Sequence, residues 1–214
     1  MSEKLIKILQ ECERLSSQGL FTQIIPLLKD ITAFDILQGN PLPTTKNFPN
    51  LENWYYINVK NSLISESSCF GFKKKDLDFP IHDHKGMHGF MKIINGSIKV
   101  TSYTLMTPEM LADIKKPFNS DIPVIYEGET ILSTSDSSIN NVLYLGPRIN
   151  NIHTIRSLED NSLFFDFLVP GYLNIDSKYF ELLNDSSSIV KKGDIVFLKE
   201  IPRPADFVMT GFQI

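Results

Sequence analysis

The chain has 214 residues, of which 42% are hydrophobic and 21% charged, with a formal net charge of −4. That length fits one domain, or one domain with a small appendage, and supplies enough apolar residues for a sizeable core. A mildly acidic chain without a broad basic field is not built for nucleic acid. No window reaches the apolar length of a membrane span, and two cysteines, Cys12 and Cys69, are too few for a disulfide framework. Lys4 and Lys7 interrupt the apolar pattern of the first residues, which therefore lack a signal-sequence core. A soluble, monomeric, cytoplasmic protein is expected, with the nucleus as a second compartment open to it.

Residues 2–16 carry Leu5, Ile8, Leu9, Cys12 and Leu15 at helical spacing, with Glu3, Lys7, Glu11 and Arg14 opposite. This predicts an amphipathic helix, ended by Gly19 in a left-handed cap. A second helical patch over 21–28 is weakened by Pro26. Residues 30–50, with Gly39, Pro41, Pro43 and Pro49, read as an irregular connector. Residues 1–50 thus form an N-terminal helical segment and connector, packed on a core domain of residues 51–214.

From about residue 54 the hydrophobic period becomes two. Strands are predicted at 54–59, 68–72, 90–94, 97–103, 123–126, 130–133, 142–145, 152–156, 163–169, 179–183 and 194–199. Their length and punctuation predict an all-β sandwich or barrel, and the 15 phenylalanines suit the space between two packed sheets. No ten-to-fifteen-residue helical pattern separates the strands, which argues against a parallel α/β sheet. Asn95-Gly96 supplies the dipeptide of a type I′ hairpin, which would pair Ile93 with Ile98 and Lys92 with Lys99. Met91, Ile93, Ile98 and Val100 would then be buried, and the two lysines would face water. Residues 134–138 and 186–188 read as short polar loops.

Three of the four histidines fall in the run His82-Asp83-His84-Lys85-Gly86-Met87-His88. On an extended backbone, His82 and His84 project to one side while Asp83 points away. Neutral imidazoles are good ligands for divalent Fe, Zn, Ni and Cu. A third ligand would close one face of the ion and leave the other open. Periodicity does not choose between His88 and His153 for that place, and an ordinary pair of loop histidines remains an open reading. Gly86 and Gly89 let the backbone turn close to the site. Asp83 is expected to bond loop backbone. Asp166 lies in an apolar strand on the side of Phe164 and Leu168, where a carboxylate is expensive unless partnered.

Residues 79–103 closely resemble the metal-binding segment of the thiol dioxygenases that include cysteamine dioxygenase and the plant cysteine oxidases. Two further blocks match that family in order: Asn151-Ile152-His153-Thr154-Ile155 and the run from Phe165 through Asp166 to Tyr172. Weaker similarity extends over roughly residues 30–210. The resemblance implies a cupin-type double-stranded β-helix, a jelly roll. It also implies Fe(II) held by His82, His84 and His153, and addition of both oxygen atoms of O2 to a thiol to give a sulfinic acid. It assigns Asp166 to the substrate amine or a bound water, and places the hydroxyl of Tyr172 near the iron. His88 becomes a supporting histidine.

Some positions depart from the family pattern. Lys85 and Gly171 stand where the family has prolines, and Met209 stands where it has a cysteine, which excludes a cysteine–tyrosine crosslink there. The family's proline-rich C-terminal tail is also missing. Neither Cys12 nor Cys69 matches a catalytic position. The substrate implied is a small aminothiol such as cysteamine, or a polypeptide beginning with cysteine, whose oxidation would sense dioxygen. Neither requires an arginine for an α-carboxylate, and none stands beside the histidines in sequence. A non-catalytic cupin binding module is the alternative, kept open by the departures at 171 and 209. A zinc or nickel cupin isomerase fits the flanking blocks less well.

Overall fold

A computed structural model describes residues 1–112, 121–135, 142–172, 176–183 and 189–213. The polar loops expected at 134–138 and 186–188 lie mostly and wholly, respectively, outside these residues. The chain opens with helix α1 (Glu3–Ser17), α2 (Ile24–Lys29) and α3 (Ala33–Leu37). Gly19, at φ 71°, ends α1 as expected. Pro26 does not break α2, because it falls in the first turn, where its missing N–H has no intrahelical partner. The connector expected over 30–50 contains α3, which Thr32 and Asp35 start with a reciprocal capping box.

Twelve strands follow among the described residues. β1 (Trp54–Asn61), β2 (Glu66–Phe72), β4 (His88–Asn95), β7 (Val142–Leu145), β9 (Leu163–Val169) and β12 (Met209–Gln213) form one sheet, ordered β12-β1-β2-β9-β4-β7. β3 (Asp78–Asp83), β5 (Ser97–Leu105), β6 (Ile122–Ser133), β8 (Ile152–Ser157), β10 (Tyr179–Leu182) and β11 (Ile195–Ile201) form the other. Its order is β10-β11-β6-β5-β8-β3, and its end strands pair with each other at Tyr179 and His82. A short helix, α4 (Pro108–Leu111), follows β5. This is the two-sheet arrangement of a cupin-type double-stranded β-helix. The strands expected separately at 123–126 and 130–133 are one strand, β6. The periodicity had missed β3, α4 and β12, the last of which pairs in parallel with β1.

Phe72, Phe79, Met91, Ile93, Val100, Ile155 and Phe164 pack between the sheets. On the outer face of the first sheet, Leu5, Leu9 and Cys12 of α1 pack with Tyr55, Cys69, Phe165 and Phe167. β9 is therefore buried on both faces along its whole length, which explains an apolar run broken only by Asp166. Burying Phe165 and Phe167 contributes on the order of 2 kcal/mol each. Both cysteines are free and buried in this layer. Among the described residues, no helix is long and apolar enough to cross a membrane.

Asn95-Gly96 does not close a hairpin. β4 pairs with β7 and β9, whereas β5 pairs with β6 and β8. The dipeptide is instead a corner at which the chain passes from one sheet to the other. A type I′ turn needs positive φ at both central residues, and only Gly96, at 73°, has it. A Cβ at Gly96 would lie 2.8 Å from Ser162 Oγ, so a side chain at this corner would crowd the approach to β9. The expected apolar face is nonetheless buried between the sheets. The two lysines part company: Lys99 pairs with Glu129 at 2.7 Å, whereas Lys92 is only 6% exposed, beneath the helical layer.

Asp35 ties that layer together. Its carboxylate accepts from Ser2 Oγ at 3.0 Å, Lys4 Nζ at 3.2 Å, Thr32 N at 2.9 Å and Thr32 Oγ1 at 2.7 Å. Burial opposes its ionisation, but these donors outweigh it and hold the carboxyl below its ordinary range. Asp35→Ala removes the partners of two helix caps at once. It is expected to cost about 1–2 kcal/mol, read as a lower urea midpoint at unchanged slope.

Candidate metal centre

His82 and His153 are direct cross-strand partners of β3 and β8, so both side chains stand on the inter-sheet face. His84 follows one alternation later, just past the end of β3, where its N–H donates to Asn151 O at 3.0 Å. Ring centroids are 4.5 Å apart for His82 and His153, and 5.0 Å apart for each of the other two pairs. One ligand nitrogen from each of the three lies within 4.8 Å of the others. The structure thus brings His153, and not His88, to the pair. His88 lies on β4 with its ring stacked 3.5 Å from Phe21 and its Nδ1 2.6 Å from the Tyr144 hydroxyl. It fastens the helical layer to the sheet.

The cluster suits a cation. Burial lowers the pKa of all three imidazoles, and for His84 and His153 the repulsion that a protonated neighbouring ring would exert adds to this, so the rings are neutral with lone pairs available. His82 Nδ1 lies 2.8 Å from Pro80 O, which can only accept, so Nδ1 carries the proton and Nε2 the lone pair. His84 Nδ1 lies 2.5 Å from the Tyr172 hydroxyl, which lies 2.7 Å from Ser177 Oγ. With His84 donating to Tyr172 and Tyr172 donating to Ser177, His84 Nε2 is left as an acceptor. That nitrogen and both nitrogens of His153 are buried without any partner. Leaving such groups unsatisfied costs about 1–3 kcal/mol each, a cost that an ion shared by the three rings removes.

Asp166 faces the same space from β9. It is 4% exposed, and its Oδ1 has no partner. Burial, with a smaller contribution from Glu66, pushes its carboxyl up to about 7. Tyr172 is kept protonated by burial. Asp83 turns away as expected: its Oδ1 accepts from Lys178 N at 2.8 Å, binding the end of β3 to the approach to β10. The glycine at 171 also has a local cause, since a Cβ there would lie 3.0 Å from Glu66 Cβ and 3.1 Å from Glu66 N. Tyr172 N in turn donates to Glu66 Oε2 at 3.4 Å.

The histidines, Asp166 and Tyr172 line a cavity of about 840 Å³ between the sheets, with Phe70, Phe79, Phe164 and Leu168 as its apolar wall. Met209 also lines it. The rim carries Asp176, Lys178, Glu200 and Arg203, none of which the sequence pointed to. For Arg203 the single local hint is its place between Pro202 and Pro204, just after a strand.

A profile of the PCO_ADO family matches residues 65–213. Among curated proteins, the chain is 28% identical over 189 residues to a probable 2-aminoethanethiol dioxygenase of Dictyostelium discoideum, covering 88% of this chain and 79% of that one. It is 24% identical over 192 residues to the 2-aminoethanethiol dioxygenase of Homo sapiens, covering 80% and 68% respectively. Among solved structures, an RmlC-like cupin from Shewanella frigidimarina superposes with a TM-score of 0.38 at 11% identity, over 58% of this chain and 86% of that one. The matched segment spans all three clustered histidines, Asp166 and Tyr172, and the chain belongs to the PCO_ADO family, a family of thiol dioxygenases.

Proposed function

We propose that the protein is an Fe(II)-dependent dioxygenase that converts the thiol of an aminothiol into a sulfinic acid, with both atoms of one O2 ending on sulfur. The observation that carries this is the three-histidine cluster with unpartnered buried nitrogens at the floor of an open cavity. His82, His84 and His153 would hold the ion. Fe(II), when bound, supplies the redox chemistry with dioxygen and favours the thiolate of the substrate, which zinc, having no redox change, does not do in full.

The chain's own residues set the rest. Asp166 faces the site with a free oxygen and accepts an N–H of the substrate amine. Tyr172, fixed by Ser177, orients the His84 ring through Nδ1. The phenylalanine wall keeps water from the sulfur.

The relatives are named for 2-aminoethanethiol, a molecule of four heavy atoms. A cavity of about 840 Å³ is of the size that takes a drug-sized ligand, which supports the N-terminal cysteine of a polypeptide as the substrate here. Its oxidation state would then report the supply of dioxygen. The test is anaerobic loading with Fe(II), followed by exposure to air with 2-aminoethanethiol or a Cys-initiated peptide. Mass spectrometry is expected to find two oxygen atoms added to the thiol. Absence of product from both thiols, at one iron per chain, would reject the reading in favour of a non-catalytic binding module.

A further inference from the structure

The fold brings an arginine to the substrate cavity that the sequence places far from the histidines. Arg203 Nη2 donates to Phe207 O at 3.0 Å, and its Cζ lies 5.3 Å from the centre of the Phe207 ring. Phe207 is itself 4% exposed and meets the rings of Trp54, Phe79 and Tyr179. Arg203 is itself exposed, and these two contacts hold its guanidinium against a core residue at the cavity rim. Arg14 and Arg156 each grip a carboxylate with two nitrogens, Glu11 and Asp78 respectively. Among the described residues, no carboxylate lies within ion-pair distance of Arg203.

None of the other described charges on the rim forms an ion pair with it. Lys178 and Glu200 neutralise each other at 2.6 Å. Asp176 belongs to the segment that leads into Ser177, the partner of the Tyr172 hydroxyl. An oriented guanidinium with most of its five donors unused matches the geometry of a carboxylate.

We propose that Arg203 is a specificity-determining residue that takes a carboxylate of the substrate, so that the preferred aminothiol carries a negative charge beyond its amine. This rests on the cavity being the substrate site. Three sources present that chemistry: the α-carboxylate of free cysteine, the terminal carboxylate of a short Cys-initiated peptide, and an acidic side chain close behind the cysteine of a longer one.

The test uses Fe(II)-loaded wild type, Arg203→Gln and Arg203→Lys. Anaerobic calorimetry gives binding, and oxidation rates in air give kcat/KM. Three pairs of probes separate the sources: cysteine against 2-aminoethanethiol, Cys-Gly-Gly against its amide, and Cys-Gly-Glu-Gly amide against Cys-Gly-Lys-Gly amide. Wild type is expected to favour the carboxylate member of at least one pair by about fivefold to tenfold, and that pair names the source. Arg203→Gln should close the gap to within about twofold and Arg203→Lys should keep part of it, while 2-aminoethanethiol is handled alike by all three. A gap absent from wild type, or surviving in Arg203→Gln, overturns the assignment. A binding gap without oxidation of any probe would leave it standing and reject the dioxygenase reading instead. Equal oxidation of every probe by wild type and Arg203→Gln would do the reverse.

Discussion

His153→Ala is expected to yield a folded protein that no longer retains Fe(II). The imidazole is 1% exposed, stands at one corner of a nearly equilateral triangle with the rings of His82 and His84, and has no hydrogen-bond partner on either nitrogen. A histidine whose task was structural would hold its neighbours through those nitrogens, and this one holds nothing. Its removal therefore leaves the β3–β8 ladder and the surrounding phenylalanines in place. The metal-free variant is expected to melt within a few degrees of wild type, since loss of packing and relief of two unsatisfied atoms act in opposite directions. Metal retention is another matter. Removing a hydrogen-bond partner of a ligand typically costs 10–100-fold in metal affinity, and removing the ligand should cost at least about 100-fold. Elemental analysis after gel filtration should fall from about one iron per chain to near zero, and thiol oxidation should fall with it. His88→Ala is the control. It breaks the stack with Phe21 and the bond to Tyr144, so it should lower the melting temperature while leaving iron content unchanged. Full iron in His153→Ala would refute the ligand assignment.

The contrast between those two histidines shows what was legible in the sequence. Alternation along a strand is local, so His82 and His84 could be placed on one side from their spacing. The third partner is set by the register of β3 on β8, which includes an irregularity between Phe79 and His82 that no local pattern announces. Only the family resemblance singled out His153. The same division runs through the fold. The apolar run of β9, broken only by Asp166, is readable because both of its faces are covered. Asn95-Gly96 does not close a hairpin because turn chemistry is a local preference, and β4 and β5 each find their partners elsewhere in the sheets. The capping box Thr32–Asp35 carried a signal, obscured by the prolines around residue 43. Arg203 had almost none: its place depends on how β11 leads the chain back over the cavity.

Asp166→Asn is expected to separate the stability of the protein from its activity. The carboxyl is 4% exposed and unpartnered at Oδ1, and burial holds it near 7 rather than in the ordinary carboxylate range. Its pKa is thus higher in the folded chain than in the unfolded one, where it is about 3.9. Between those values the folded state binds more protons, so the metal-free protein loses stability as pH rises, and the loss levels off above the folded pKa. The full cost at alkaline pH is on the order of 4 kcal/mol, and the part gained between pH 5 and pH 8 is about 3 kcal/mol. Asparagine does not ionise and lacks this slope. In urea titrations of metal-free protein, the variant should gain on wild type by about that amount between pH 5 and pH 8. Equal pH dependence of the two would mean that the carboxyl is not raised in the folded chain. Loading with Fe(II) should narrow the difference, because a dication beside the carboxylate favours its charged form. Iron content should be unchanged, since Asp166 is not among the clustered ligands, while kcat/KM for an aminothiol should fall about 10–100-fold through loss of the charged acceptor for the amine. A carboxylate that costs this much in the resting protein is stable only in company, and the amine of the substrate beside the metal would supply it.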